Sequence, residues 1–139
     1  MYSIRTEQYF DSAHFLRGYE GKCANIHGHR WCVTVEVSAD ELSSEGQTRG
    51  MVVDFAVLKG DLKELTDALD HCLIIEDGSL RQRTLDALFD EGFRVVSLPF
   101  RPTAENFARY FCELMQKKGY RVYSSSVYET ENNCARYMP

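Results

Sequence analysis

Apolar and polar side chains alternate most cleanly in Trp31-Cys32-Val33-Thr34-Val35-Glu36-Val37, where Thr34 and Glu36 separate three valines. A period of two marks a half-buried strand and predicts one over 26–38. Carried backwards, the same period places Trp31, His29 and His27 on the valine face. Residues 2–14 predict a first long strand with Ile4, Phe10 and His14 on one parity. A loop over Arg17–Asn25, broken by Gly18 and Gly21, joins the two as an antiparallel pair. After a polar loop over Asp40–Gly50, Met51-Val52-Val53 leads to Asp54, a good N-cap. Phe55, Leu58, Leu62, Leu65 and Leu69 then recur at helical spacing, predicting a helix that ends near Asp70-His71.

Cys72–Ile75 is an unbroken apolar run, and Glu76-Asp77-Gly78 turns the chain. Ser79 is the expected cap of a shorter helix through Leu80, Leu85, Leu88 and Phe89, and 94–98 reads as a short strand. Pro102-Thr103 opens the next helix, with Thr103 as N-cap and Glu105 in the first turn, where the helix dipole favours an anion. Its stripe is Ala104, Phe107, Phe111, Leu114 and Met115, and Gly119 ends it. Strands over 122–131 and 134–138 follow, turned by Asn132-Asn133. The order is β-β-α-(α)-α-β-β, an α+β arrangement with helices layered on one face of an antiparallel four-stranded sheet. Such a sheet has two open edges that invite pairing with another chain.

Composition narrows the function classes. A chain of 139 residues has the length of one domain, residues 1–139, with no repeat or linker. The net charge of −5 carries no basic run, so nucleic acid is not the expected partner. No apolar stretch is long enough for a membrane and no signal-peptide pattern is visible, so a soluble cytoplasmic protein is expected. Five cysteines with no Cys-x-x-Cys spacing do not read as a disulfide framework. Cys32, on the strand face opposite the histidines, and Cys112, on a helix, read as small apolar fillers.

The candidate chemistry lies in Cys23-Ala24-Asn25-Ile26-His27-Gly28-His29. Residues two apart on one strand face are separated by roughly 6.5–7 Å, and two imidazoles there can lean onto one metal at about 2.0–2.1 Å. Gly28 leaves room between them for a substrate or a neighbouring backbone. His14 is a candidate third ligand. Cys23 is either a fourth ligand or a nearby reactive thiol. Three histidines with an open position make catalytic zinc geometry, and a closed set of four makes a structural site.

These motifs together resemble the 6-pyruvoyltetrahydropterin synthase family. The resemblance rests on Asp11-Ser12-Ala13-His14, Cys23, His27-Gly28-His29 and Gly50 to Phe55. It continues through Leu69-Asp70-His71, Pro102-Thr103-Ala104-Glu105-Asn106 and Val127-Tyr128-Glu129-Thr130. It covers nearly the whole chain, and its nearest subgroup is the bacterial 6-carboxytetrahydropterin synthases of queuosine (7-deazaguanine) synthesis. Glu76 to Leu98 is longer than that pattern leads one to expect.

The resemblance implies the tunnelling fold, in which three subunits close a twelve-stranded barrel and two trimers stack as a hexamer. The implied substrate is 7,8-dihydroneopterin triphosphate. The implied products are 6-carboxy-5,6,7,8-tetrahydropterin, acetaldehyde and triphosphate. His14, His27 and His29 are the implied Zn²⁺ ligands, with Cys23, Asp70 and His71 as catalytic groups, the pair meeting Cys23 across a subunit interface. Glu129, Thr103 and Glu105 are the implied pterin contacts, and Lys22, Arg30 and Arg101 lie near enough in sequence to serve triphosphate. Two other functions fit the same residues: the 6-pyruvoyl synthase reaction, which eliminates triphosphate and keeps the side-chain carbons, and a non-catalytic zinc module. Without the family, His71 reads equally as a helix C-terminal cation, and Glu129 as a solvent-facing carboxylate.

Overall fold

The computed structural model describes residues 1–139. Its elements are β1 (Tyr2–His14), a 3-10 turn (Lys22–Ala24), β2 (His27–Ala39), α1 (Phe55–Asp67), β3 (Cys72–Glu76), α2 (Gln82–Asp90), β4 (Val95–Leu98), α3 (Ala104–Lys117), β5 (Val122–Thr130) and β6 (Asn133–Tyr137). None of the helices is long and apolar enough to cross a membrane.

The sheet has six strands in the order β4-β3-β1-β2-β5-β6, where the sequence led us to expect four. Its antiparallel part, β1-β2-β5-β6, is the expected sheet. The correction lies at the other edge. Cys72–Glu76 is a strand parallel to β1, and Val95–Leu98 a strand parallel to β3, so the sheet is mixed. A parallel strand buried on both sides reads as a continuous apolar run, which periodicity cannot assign to strand or helix.

β1 and β2 pair without a bulge from Tyr2↔Ala39 to His14↔His27. Directly opposed residues share a face, so Phe10↔Trp31, Ser12↔His29 and His14↔His27 all point to one side. α1 and α3 cover that side, α1 on β1 and α3 on β2, β5 and β6. The core is built there from Phe10, Trp31, Val33, Val35, Val37, Leu58, Leu62, Phe107, Phe111 and Met115, all essentially inaccessible. Phe107 meets Trp31 edge-on at 5.0 Å and Phe10 edge-on at 6.0 Å. The opposite face, with Arg5, Glu7, Tyr9, Arg30, Cys32 and Tyr128, is polar and lines a cavity of about 790 Å³.

Asp54 caps α1, its carboxylate accepting the Ala56 N–H at 2.7 Å, and Thr103 caps α3, accepting the Asn106 N–H at 3.3 Å. α3 stops at Gly119, whose φ of 97° suits a residue without Cβ. Ser79 does not cap the middle helix: α2 begins at Gln82 behind Arg81 with no side-chain cap. Ser79 instead turns out of β3, its N–H bonded to Glu76 O and its carbonyl held by Arg17. α2 packs on β4 and buries no residue, so it adds nothing to the core. The last turn is also shifted by one residue, with Glu131-Asn132 linking the Thr130↔Asn133 pair.

Phe55 and Phe107 both sit in predicted apolar stripes, but Phe55 is 62% exposed and Phe107 fully buried. Phe107→Ala should therefore lower unfolding free energy by about 3–5 kcal/mol, and Phe55→Ala by no more than about 0.5 kcal/mol. Urea denaturation of the two variants beside the parent measures both.

Candidate metal centre and active site

The end of the long strand pair is where the core turns polar. His14 is the last residue of β1 and His27 the first of β2, and His29 follows one pleat along. His14 and His29 meet Trp31 edge-on, at 4.9 Å and 5.2 Å by ring centroid, and the His27 ring lies 4.5 Å from His14 and 4.9 Å from His29. One ligand nitrogen from each of the three lies within 4.8 Å of the others. Cys23 is not among the groups within that distance.

The hydrogen bonds fix which nitrogens are available. His14 Nδ1 lies 2.7 Å from Pro102 O, and His27 Nδ1 lies 2.7 Å from Asn25 O. A carbonyl oxygen only accepts, so each ring carries a proton on Nδ1, and in its neutral form each presents a bare Nε2. Those two Nε2 atoms face each other at 3.1 Å. Two lone pairs at that distance repel unless a cation or proton stands between them. His29 Nε2 is buried without a hydrogen bond; a Glu129 carboxylate oxygen lies 3.3 Å away. Neutral imidazoles tethered through Nδ1 to backbone carbonyls are the donor set and outer support of a transition-metal site. The residues fit a divalent cation.

Protons compete poorly for this place. Burial drives the His14 pKa down to about 4, and His27 and His29 push it the same way, against the Pro102 carbonyl. Burial also lowers that of His29, against the pull of Glu129.

Asp70 and His71 form a second constellation. α1 ends at Asp67, so His71 is not in its last turn; it stands beyond the helix with φ 53° and reverses the chain into β3. The reading of His71 as a helix-end cation is thereby replaced. The Asp70 carboxylate accepts the Asp11 N–H at 2.8 Å and lies 2.9 Å from His71 Nδ1. The bond from Asp11 is the main reason its pKa is lowered. The His71 side chain is 77% exposed. It lines a cavity of about 550 Å³ with Asp11, Gly28, Arg30, Phe93 and Arg94. Strand alternation puts Asp11, Gly28 and Arg30 on the face opposite the His14 and His27 side chains.

The other expected site residues fall as follows. Cys23 is a half-buried free thiol in the 3-10 turn, with its carbonyl bonded to Leu16 N; no hydrogen bond joins it to Asp70 or His71. Glu129 is half-buried beside His29 and shares a cleft of about 350 Å³ with Glu105. Thr103 follows Pro102, whose carbonyl holds His14, so the start of α3 adjoins the histidines. Lys22 is exposed. Arg30 lies over the Tyr9 ring at 4.5 Å, and Arg101 donates to Arg17 O at 3.1 Å. Sequence reasoning missed Pro102 and Asn25 as carbonyl partners of the ligands, because main-chain acceptors leave no residue-type signal. Asp11 and Arg94 were missed too, because their contacts to the Asp70-His71 turn come from distant elements.

Comparison with known proteins agrees with this geometry. Residues 3–139 match the family described as 6-pyruvoyl tetrahydropterin synthase. The 6-carboxy-5,6,7,8-tetrahydropterin synthase of Haemophilus influenzae is 35% identical, over 99% of both chains. That of Synechocystis is 32% identical over 99% of this chain and 94% of its own. Among solved structures, an uncharacterized protein of Wolinella succinogenes superposes with a TM-score of 0.80 at 25% identity, covering 99% of this chain and 97% of its own. The 6-pyruvoyl tetrahydropterin synthase of Caenorhabditis elegans gives 0.70 at 24% identity, over 99% and 95%. The expected tunnelling fold is thus the observed one, with two parallel strands added at one edge.

Acid should destabilise the metal-free protein through His14. Its folded pKa of about 4 lies below the unfolded value of 6.5, so the unfolded chain binds the proton first as pH falls. This contribution, about 3 kcal/mol for a difference of that size, is present above pH 6.5 and lost progressively down to pH 4. Urea unfolding in chelator across this range should show the loss, and His14→Gln should flatten it.

Proposed function

Because the chain belongs to the 6-pyruvoyl tetrahydropterin synthase family, we propose that it is the zinc enzyme converting 7,8-dihydroneopterin triphosphate and water to 6-carboxy-5,6,7,8-tetrahydropterin, acetaldehyde and triphosphate, in 7-deazaguanine (queuosine) synthesis. The observation that carries the metal part is the part-buried pair of facing Nε2 atoms, 3.1 Å apart, on two rings whose Nδ1 atoms are already engaged by backbone carbonyls. His14, His27 and His29 would hold the Zn²⁺, which would supply Lewis acidity toward substrate hydroxyls and the adjacent carbonyl.

The remaining work falls to side chains of the protein. Cys23 as thiolate takes a proton from the substrate side chain. His71 is its partner acid and base. Asp70 engages its Nδ1 at 2.9 Å, so Nε2 is the atom that gives and receives the proton. Carbon–carbon cleavage to acetaldehyde is a retro-aldol step, which needs such a proton relay at both ends. Glu129 accepts two hydrogen bonds from the amino-pyrimidine edge of the pterin, a paired geometry like that of carboxylate with guanidinium. Glu105 lines the same cleft, and Thr103 keeps a hydroxyl proton to donate.

Cys23 and His71 are not joined within one chain, and His71 is exposed. The reading is therefore a cytoplasmic homohexamer of two stacked trimers, in which Asp70-His71 of one subunit completes the Cys23 site of another across the intersubunit barrel.

Incubation of the zinc-loaded protein with dihydroneopterin triphosphate, with products resolved by mass, should yield acetaldehyde and the 6-carboxy product. A 6-pyruvoyl product without acetaldehyde would assign the elimination reaction instead. Cys23→Ala should keep zinc and lose turnover, whereas loss of zinc would mark a structural site. Mixed with His71→Ala under subunit exchange, it should regain activity.

Glu129→Gln should weaken pterin binding by roughly ten- to a hundredfold, with zinc retained. Glu131→Gln should bind like the parent, since Glu131 is exposed in the hairpin turn. Calorimetry separates the two; the reverse order would place the pterin on the wrong carboxylate.

A further inference from the structure

Arg94 ends the turn between α2 and β4, in the segment that is longer than the family pattern led us to expect. Its guanidinium grips the chain beyond α1. Nη1 donates to Asp70 O at 2.7 Å and Nη2 to Ala68 O at 2.5 Å. Its own carbonyl accepts the Leu73 N–H at 3.0 Å. Arg94 thus holds the Asp70-His71 turn on both sides. β1 holds it from below, through Asp11 N–H to the Asp70 carboxylate at 2.8 Å and His71 N–H to Asp11 O at 2.7 Å.

This grip has something to restrain. His71, with φ 53°, is the only non-glycine residue in the left-handed region. A side chain with a Cβ stays there only where its surroundings over-determine it. Of the two carbonyls that Arg94 engages, that of Ala68 is at the C-cap of α1, where it carries partial negative charge, and that of Asp70 lies in the turn beyond it. A planar fork suits two carbonyls at once, and an ammonium is a single point charge.

We propose that Arg94 is a positioning residue for the Asp70–His71 pair, its guanidinium fixing the left-handed turn that aims the His71 imidazole. This rests on the reading that His71 moves a proton in the reaction. Without Arg94, water replaces it on the two carbonyls, and His71 relaxes toward ordinary backbone conformations that re-aim its ring. The core is untouched, because Arg94 is exposed and packs in no buried cluster.

The test compares the zinc-loaded parent with Arg94→Ala, Arg94→Lys and His71→Ala. Arg94→Ala should lower kcat about 10–100-fold with KM within about twofold, the signature of a misplaced catalytic group. Arg94→Lys should fall between it and the parent. Zinc content should not change. Amide exchange at His71, followed by NMR, should speed up about tenfold or more as the bond to Asp11 O opens.

A parent-like kcat in Arg94→Ala beside an inactive His71→Ala would overturn the positioning role and leave the proposed reaction standing. If the parent does not turn over the pterin triphosphate, the proposed reaction fails instead. Exchange at His71 then decides alone, and no acceleration in Arg94→Ala overturns the role. Should Arg94→Ala fail to fold, Arg94→Lys with parent-like kcat and exchange would overturn it as well.

Discussion

The register between β1 and β2 is the constraint on which the rest of the molecule depends. Thirteen residues of each strand pair without interruption. A slip of one residue would turn Trp31 and the three valines to the polar side and the charged face inward. The valines, Trp31 and Phe10 under α1 and α3 make that slip costly over the whole length. The histidines at the end of the same face inherit their position from the core. His14 opposes His27 because Phe10 opposes Trp31 two pleats away.

This placement makes the candidate metal centre an electrostatic property of the fold. Polar rings on a core face must be satisfied or neutral. Two are satisfied on one side only, by Pro102 O and Asn25 O, and His29 has no partner for its Nε2. Burial keeps His14 neutral down to about pH 4, so its Nε2 stays available to a cation over the range where most proteins function. Glu129 next to His29 adds a negative charge at the rim. It is close enough to favour a cation there.

The added edge explains how a longer connection between the Asp70-His71 pair and the Pro102-Thr103 segment is accommodated. β3 and β4 extend the sheet from the β1 side by parallel pairing, leaving the antiparallel half undisturbed. β3 also anchors the chain just after His71, and the β4 pairing brings Arg94 back against the α1 end. α2 stays on the outside with no buried residue, so its sequence is free of the core's demands.

The sequence by itself determined the long strand pair, the two packed helices, their caps at Asp54 and Thr103, and the face shared by His14, His27 and His29. These follow from local rules: a period of two, a period of 3.6, and side chains that accept the first free N–H groups of a helix. It also carried enough motif to point to the family. Tertiary structure decided the rest, since each remaining feature depends on groups distant in the chain. Cys72–Glu76 became a strand because β1 offered it a free edge, which no pattern within an apolar run can announce. Phe55 stays exposed in a surface cleft beside Tyr2 and Ile4, while Leu58 and Leu62 further along α1 fill the core. The tautomers of His14 and His27 were set by carbonyl oxygens, which every residue possesses and only folding can aim. His71 left the helix for a left-handed turn because Asp11, Asp70 and Arg94, from three parts of the chain, close hydrogen bonds around it.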